Sequence, residues 1–296
     1  METLFLIGGS GFIGKNLVRC LSPYYQITVF DKYIDFDFFA AYPSVSIYLL
    51  NLVTDKIPNE IVTPDYIINL ASIVTVERDL SLFDELISSN LKVLLNLYER
   101  FKDDNSLKLF IQFGSSEEYG SAVSPFKEED REYPNSPYAL VKQLTTNTVL
   151  MLHRNNGFPA MVVRPGNLFG PGQNKKKFIP YVVEQLRKGD PLNVSPCEQK
   201  RDFIYMDDFA EDIHRLLENY MKCIGEIVNV SSGSSVSLKD IIECCKNEIH
   251  SASEINYGAL PYRENEAMDL RCSVGKMLSI IHPSYSIEQS LQKIIE

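Results

Sequence analysis

Apolar residues fall into short runs that stop at small or polar residues, separated by stretches with helical spacing. Leu4–Ile7 is one such run and ends at Gly8, the pattern of a strand buried on both faces. A helix is predicted from Phe12 to Leu21. Ile27–Phe30 stops at Asp31, Ser46–Leu50 at Asn51, and Tyr66–Leu70 at Ala71-Ser72. A long helix is predicted from about Ser81 to Phe101, then a strand over Leu109–Phe113 that opens into Gly114-Ser115-Ser116. Ala160–Val163 reads as a sixth strand. Strands that alternate with helices predict an α/β fold with a Rossmann-type doubly wound parallel sheet. After Gly166 the alternation loosens into helices over about 178–188, 207–220 and 238–249, with short strands such as Ile227–Val230 between them. The expected division is a first domain over residues 1–165 and a smaller mixed α/β lobe over 166–296, whose segments can cross back to the first domain.

The length of 296 residues and a hydrophobic share of 45% are enough for a sizeable core and argue against a disordered chain. The net charge of −10 disfavours nucleic acid or a membrane surface as partner. No apolar run approaches the ~18 residues of a membrane span. The start, Met-Glu-Thr-Leu-Phe-Leu-Ile-Gly-Gly, lacks a basic leader and reads as a strand entering a glycine turn, not a signal peptide. The six cysteines include no Cys-x-x-Cys pair and the four histidines are scattered, so the expectation is reduced thiols, no metal and a cytoplasmic enzyme.

Gly8, Gly11 and Gly14 sit between a strand and a helix. The first permits a tight turn, the second lets phosphates approach the backbone, and the third lets the helix pack on the sheet. With Phe12 and Ile13 between them, they place a diphosphate at the helix N-terminus. Asp31 ends the second strand, where a carboxylate accepts hydrogen bonds from the adenine ribose. It favours NAD(H), and the adjacent Lys32 leaves NADP(H) open. Tyr138 and Lys142 are four residues apart and share one helix face. A phenol keeps its proton until about pH 10. A nearby ammonium is expected to lower that value, so that Tyr138 can exchange a proton with a sugar hydroxyl beside a nicotinamide. Lys175-Lys-Lys177 reads as a solvated loop.

These motifs, in this order, resemble the extended short-chain dehydrogenase/reductase family, in its nucleotide-sugar epimerase/dehydratase group. The resemblance covers nearly the whole chain. It places Asn51-Leu52 beside the adenine, where the family usually has an aspartate and an apolar residue. Asn69-Leu-Ala-Ser72 is similar to the family's His-Leu-Ala-Ala segment, so Leu70 and Ala71 would line the cofactor. Asn90 matches an asparagine on the long helix and is assigned to the cofactor side. Phe113-Gly-Ser-Ser-Glu-Glu-Tyr-Gly120 resembles the Ser-rich segment ending in Tyr-Gly, which makes Ser115 the catalytic hydroxyl. Pro165 would present backbone to the nicotinamide carboxamide, and Asn167 would contact the substrate. Arg201, in Arg-Asp-Phe-Ile-Tyr-Met-Asp-Asp208, and Arg263, in Pro261-Tyr-Arg-Glu-Asn-Glu266, would pair with substrate phosphates.

Three reactions share this machinery. The compact length and the segment 256–268 resemble reductases that complete 6-deoxy and dideoxy sugars for bacterial surface polysaccharides such as lipopolysaccharide O-antigen. The leading expectation is therefore a nucleotide-diphospho-sugar 4-ketoreductase. A 4-epimerase with tightly bound NAD is second. A 4,6-dehydratase is third, with Glu117 as its proton-abstracting carboxylate. The resemblance also implies a homodimer through the helices near 81–101 and 138–154.

Overall fold

Strands that are buried on both faces need helices on both faces, and the burial pattern supplies that requirement. Leu4, Leu6, Ile68 and Ile111 point to one apolar core, while Phe5, Ile7, Ile67 and Phe110 point to another on the opposite side. The computed structural model describes residues 1–75, 77–262, 266–283 and 285–295. Its main sheet contains β1 (Glu2–Ile7), β2 (Tyr25–Asp31), β3 (Ser46–Leu49), β4 (Tyr66–Asn69), β5 (Leu109–Phe113) and β6 (Ala160–Pro165). A seventh strand, Ile227–Val230, joins at the β6 edge. From that edge the order runs through β6, β5, β4, β1 and β2 to β3, and every pairing is parallel. This is the Rossmann-type doubly wound sheet. The chain starts at β1, winds outward to β3, and restarts at β4 on the other side. That reversal opens a crevice beyond the C-terminal ends of β1 and β4, where open α/β sheets bind ligands.

Residues beyond 166 serve both parts of the molecule. The helix Met206–Glu218 packs on the helix α1 (Phe12–Leu21), and its Phe209, Ile213 and Leu216 enter the first core. Short strands build the smaller lobe. Asn167–Phe169 pairs with Phe203–Tyr205, and Leu192–Val194 pairs with Ile255–Tyr257. Lys200–Arg201 lies between Val236–Ser237 and Asp269–Leu270. Phe169, Ile179, Val182, Leu186, Leu192 and Ile242 form that lobe's own core.

The stretch expected as one helix from 81 to 101 is interrupted. A turn of π-helix at Ser88–Lys92 separates the helices Phe83–Ile87 and Val93–Phe101. Asn90 explains it locally. Its Nδ2 donates to Leu86 O at 2.9 Å, and Ser89 Oγ donates to the same carbonyl at 3.2 Å. Side chains thus occupy an acceptor that a regular helix reserves for its backbone. By contrast, Pro137–Asn156 is a regular helix with both ends signalled. Ser136 Oγ accepts from Ala139 N at 3.1 Å, Pro137 opens the first turn, and Gly157 closes the last at φ 69°.

Candidate functional site

A cleft of about 1340 Å³ runs from the glycine turn across the strand ends into the smaller lobe. A typical small-molecule site holds about 300–1,000 Å³, so this one has room for a dinucleotide and a second ligand. Its first half is built from strand ends. Gly8 follows β1 at φ 78°, and a Cβ there would stand 2.9 Å from Ala71 N. The β1 turn and the β4 end therefore approach as closely as backbone allows. A Cβ at Gly11 would meet only Gly8 O, at 3.6 Å, which leaves open backbone facing the cleft. Phe12, Ile13 and Gly14 continue that wall into α1.

Asp31 lines the cleft at the end of β2. Its Oδ2 accepts from Ser10 N at 2.9 Å, and its Oδ1 accepts from Tyr33 N at 3.1 Å. The carboxylate is thereby fixed to the glycine turn, and each oxygen keeps a free lone pair for a ribose hydroxyl. Asn51 and Leu52 also line this half, as do Leu70 and Ala71. Asn51 turns its side chain onto its own loop, with Oδ1 accepting from Val53 N at 3.2 Å. This donor set and open glycine cradle fit an adenine dinucleotide. Asn90 departs from its expected place. It is fully buried and does not line the cleft, because its amide is committed to the π-turn, and Ser89 and Val93 face the cleft in its stead.

The middle of the cleft brings together Ser115, Tyr138 and Lys142. Ser115 begins a 3₁₀ turn over Ser116–Tyr119, and its Oγ accepts from Glu117 N at 3.2 Å. The Ser115 hydroxyl neighbours the Tyr138 phenol and favours its ionised form. Lys142 lies beneath them, fully buried, with Nζ donating to Phe113 O at 2.9 Å and standing 5.9 Å from the Tyr138 ring centre. The expected lowering of the phenol's pKa is not what this arrangement produces. Burial pushes Tyr138 up, and the Glu117 and Glu118 carboxylates add to the rise against the opposing effect of the Ser115 hydroxyl. The same burial pushes Lys142 down to about 8. At neutral pH the phenol is protonated and the ammonium remains charged.

The far half comes from the smaller lobe. Pro165 and Asn167 line the cleft after β6, and Glu117 is exposed into it. Arg201 also lines it, yet its fork is already engaged. Nη1 donates to Lys200 O at 2.7 Å and Ala267 O at 2.9 Å, and Nη2 pairs with Glu266. A substrate anion at Arg201 therefore competes with the Glu266 carboxylate. Arg263 lies outside the described residues. Sequence reasoning missed Tyr181, Asn193, Ser195, Gln199 and Tyr262, which line this half from three separate segments. No local pattern marks them, because only the folded lobe brings them to one wall.

A family model described as NAD dependent epimerase/dehydratase matches residues 4–231, three quarters of the chain and every element of the main sheet. The chain belongs to that family. Within the epimerase/dehydratase family, CDP-abequose synthase of Salmonella muenchen is 31% identical over 134 residues, which is 45% of this chain and 46% of that protein. The match therefore spans less than half of that relative's length. GDP-6-deoxy-D-mannose reductase of Pseudomonas aeruginosa is 26% identical over 99% of this chain and 96% of its own. Among solved structures, a UDP-N-acetylglucosamine 4-epimerase from Methanobrevibacter ruminantium M1, in complex with UDP-N-acetylmuramic acid, superimposes with a TM-score of 0.90. It is 23% identical and covers 99% of this chain and 97% of that one, a likeness that establishes the fold. No helix among the described residues is long and apolar enough to cross a membrane.

Proposed function

We propose that this protein is a nucleotide-diphospho-sugar 4-ketoreductase that reduces a 4-keto-6-deoxy hexose, in the synthesis of bacterial surface polysaccharide precursors. The observation that carries the reading is the cluster of Ser115, Tyr138 and Lys142 in the cleft, with the Tyr138 phenol buried against Leu86 and Val141, a burial that pushes its pKa up and keeps its proton on. A phenol in that state is a proton donor, which reduction of a ketone requires. An oxidation that opens an epimerase cycle requires a base first. The GDP-6-deoxy-D-mannose reductase relative, matched over 99% of this chain, supports the same choice.

Gly8, Gly11, Asp31, Leu52, Ala71 and Pro165 would hold a nicotinamide dinucleotide, which would supply the hydride. The chain's own residues do the rest. Ser115, whose Oγ lone pair is taken by Glu117 N, turns its O–H toward the reacting oxygen. Tyr138 delivers its proton to that oxygen. Lys142 places a positive charge under the pair and would hold the nicotinamide ribose. Asn167 and Arg201 orient the substrate's diphosphate end, and Arg263 is assigned the second phosphate contact. Asp31 repels a 2′-phosphate, so NAD(H) is preferred over NADP(H).

The 4-epimerase reading draws on Asp31, which suits a retained NAD, and the dehydratase reading draws on Glu117, exposed in the cleft. An intact nucleotide hexose separates the three. The reductase leaves it unchanged, a 4-epimerase converts it to the epimer, and a dehydratase releases a 4-keto-6-deoxy product. Either conversion at a rate above about 1 per second, an ordinary enzyme turnover, sinks the reductase assignment.

The protein is further proposed to be a cytoplasmic homodimer. Leu140, Leu144 and Met151 are each more than 40% exposed on one face of Pro137–Asn156. Ile87 is also exposed, on the helix Phe83–Ile87 that packs against it. A second copy that applies the same face would cover both. Light scattering at micromolar concentration should give a dimer for the parent and a monomer for Leu140→Glu/Leu144→Glu. A monomeric parent removes this assignment.

A further inference from the structure

A second buried charge cluster lies directly behind the catalytic serine. Glu118 is fully buried, and its Oε1 accepts from Ser115 N at 2.8 Å. Its other oxygen, Oε2, accepts from Arg164 Nε at 3.0 Å and pairs with Nη2 at 2.7 Å. Arg164, on β6, is also fully buried, and its Nη2 reaches Glu132 Oε1 at 2.6 Å. Its guanidinium carbon lies 4.6 Å from the centre of the Tyr119 ring, which faces it within the same turn. Glu132 in turn accepts from Gln143, the residue after Lys142, at 3.4 Å. The cluster thus ties the Ser115 turn, β6 and the Tyr138 helix together.

Space for this carboxylate is built into the backbone. A Cβ at Gly114 would stand 2.4 Å from Glu118 Oε1. Glu118 folds back under its own turn only because Gly114 precedes Ser115. The neighbouring carboxylate, Glu117, points out to the cleft and does not share the tie.

We propose that Glu118, clamped by Arg164, is a positioning residue that holds the Ser115 hydroxyl against the Tyr138 phenol. Ser115 has its backbone N–H fixed by Glu118 and its Oγ fixed by Glu117 N, so the O–H retains one useful direction. Displacing a reacting group by about 1 Å costs on the order of a hundredfold in rate. Glu118 is held by the Arg164 guanidinium on one oxygen and by Ser115 N on the other. This inference rests on the reading that Ser115 and Tyr138 handle the reacting oxygen. That role is common to reduction, epimerisation and dehydration.

The test uses the full-length protein and whichever nucleotide sugar the parent turns over. Glu118→Ala alone leaves the buried Arg164 with Glu132 as its one carboxylate partner and can fail to fold. Glu118→Ala/Arg164→Met removes both charges, and Gly114→Ala displaces the carboxylate while keeping every charge. For the double variant the expected result is a cooperative melt, KM and the NAD(H) dissociation constant within about threefold of the parent, and kcat down about 30- to 100-fold. Gly114→Ala should lose at least about tenfold in kcat in the same pattern. Hydrogen exchange of the 114–119 peptide should quicken in both, with 137–156 unchanged. A double variant whose kcat stays within threefold overturns the proposal. So does a kcat loss matched by equal losses in KM and cofactor affinity, the mark of general structural damage. Unchanged exchange at 114–119 overturns it even where no substrate is turned over. A parent inactive on 4-keto sugars but active on an intact hexose sinks the reductase reading and leaves this test in force.

Discussion

Tyr138→Phe abolishes turnover and leaves cofactor binding intact. The variant removes one oxygen and keeps the ring that packs with Leu86 and Val141. Its hydroxyl neighbours Ser115 in the middle of the cleft. Loss of a positioned general acid costs about 10²–10⁴ in rate. A fall of at least about 10³-fold in kcat, near 4 kcal/mol of barrier, is the expected result. The NAD(H) dissociation constant should move less than about threefold, under 1 kcal/mol. Steady-state kinetics and a fluorescence titration read both quantities. Activity within about tenfold of the parent would show that another group supplies the proton.

Lys142→Met should give a protein that is more stable and nearly inactive. Lys142 is fully buried and its pKa is pushed from 10.5 down to about 8 by desolvation. A depression of that size corresponds to about 3 kcal/mol of penalty on the charged form at neutral pH. Methionine matches the length without the charge. It forfeits the 2.9 Å hydrogen bond to Phe113 O, worth about 1–2 kcal/mol when the carbonyl is left unpaired. The net expectation at pH 7 is a gain of about 1–2 kcal/mol, or a few degrees in Tm. Below pH 8 the native and unfolded parent are both charged, and the penalty is constant. Between about 8 and 10.5 the native parent gives up this proton while the unfolded chain retains it, so parent stability rises with pH. The variant's advantage should therefore shrink across that window. Activity should fall at least about 100-fold, because the charge beneath Tyr138 is gone. A variant less stable at pH 7, or an advantage that does not change between pH 7 and 10, would mean that Lys142 is not penalised by its surroundings.

The first half of the fold was legible because its signals are local. Each apolar run that ends at a small residue became a buried strand, and Gly8, Asp31 and Ala71 stand at the strand ends that face the crevice. Tyr138 and Lys142 were legible through helical spacing and the Ser136-Pro137 start. What stayed hidden depends on contacts distant in sequence. Ile227–Val230 reads as a strand, yet nothing in it names β6, some sixty residues earlier, as its neighbour. The π-turn follows from the rotamers of Ser89 and Asn90, not from their presence. Tyr138's pKa depends on the wall of Leu86, Val141 and Phe83 that closes over it, so adjacency to a lysine gave the wrong direction. Glu117 and Glu118 are chemically identical in the sequence. A 3₁₀ turn sends the first to the cleft and the second to Arg164.

Absorbance at 340 nm tests the central claim most directly. The purified protein is mixed with NADH or NADPH and a nucleotide-linked 4-keto-6-deoxy hexose. A reductase oxidises one equivalent of reduced cofactor for each ketone consumed, faster with NADH, and yields the 4-hydroxy sugar. Tightly held NAD with no net loss of absorbance, under conditions where an intact nucleotide hexose is converted, would contradict the reductase and identify an enzyme that recycles its own cofactor.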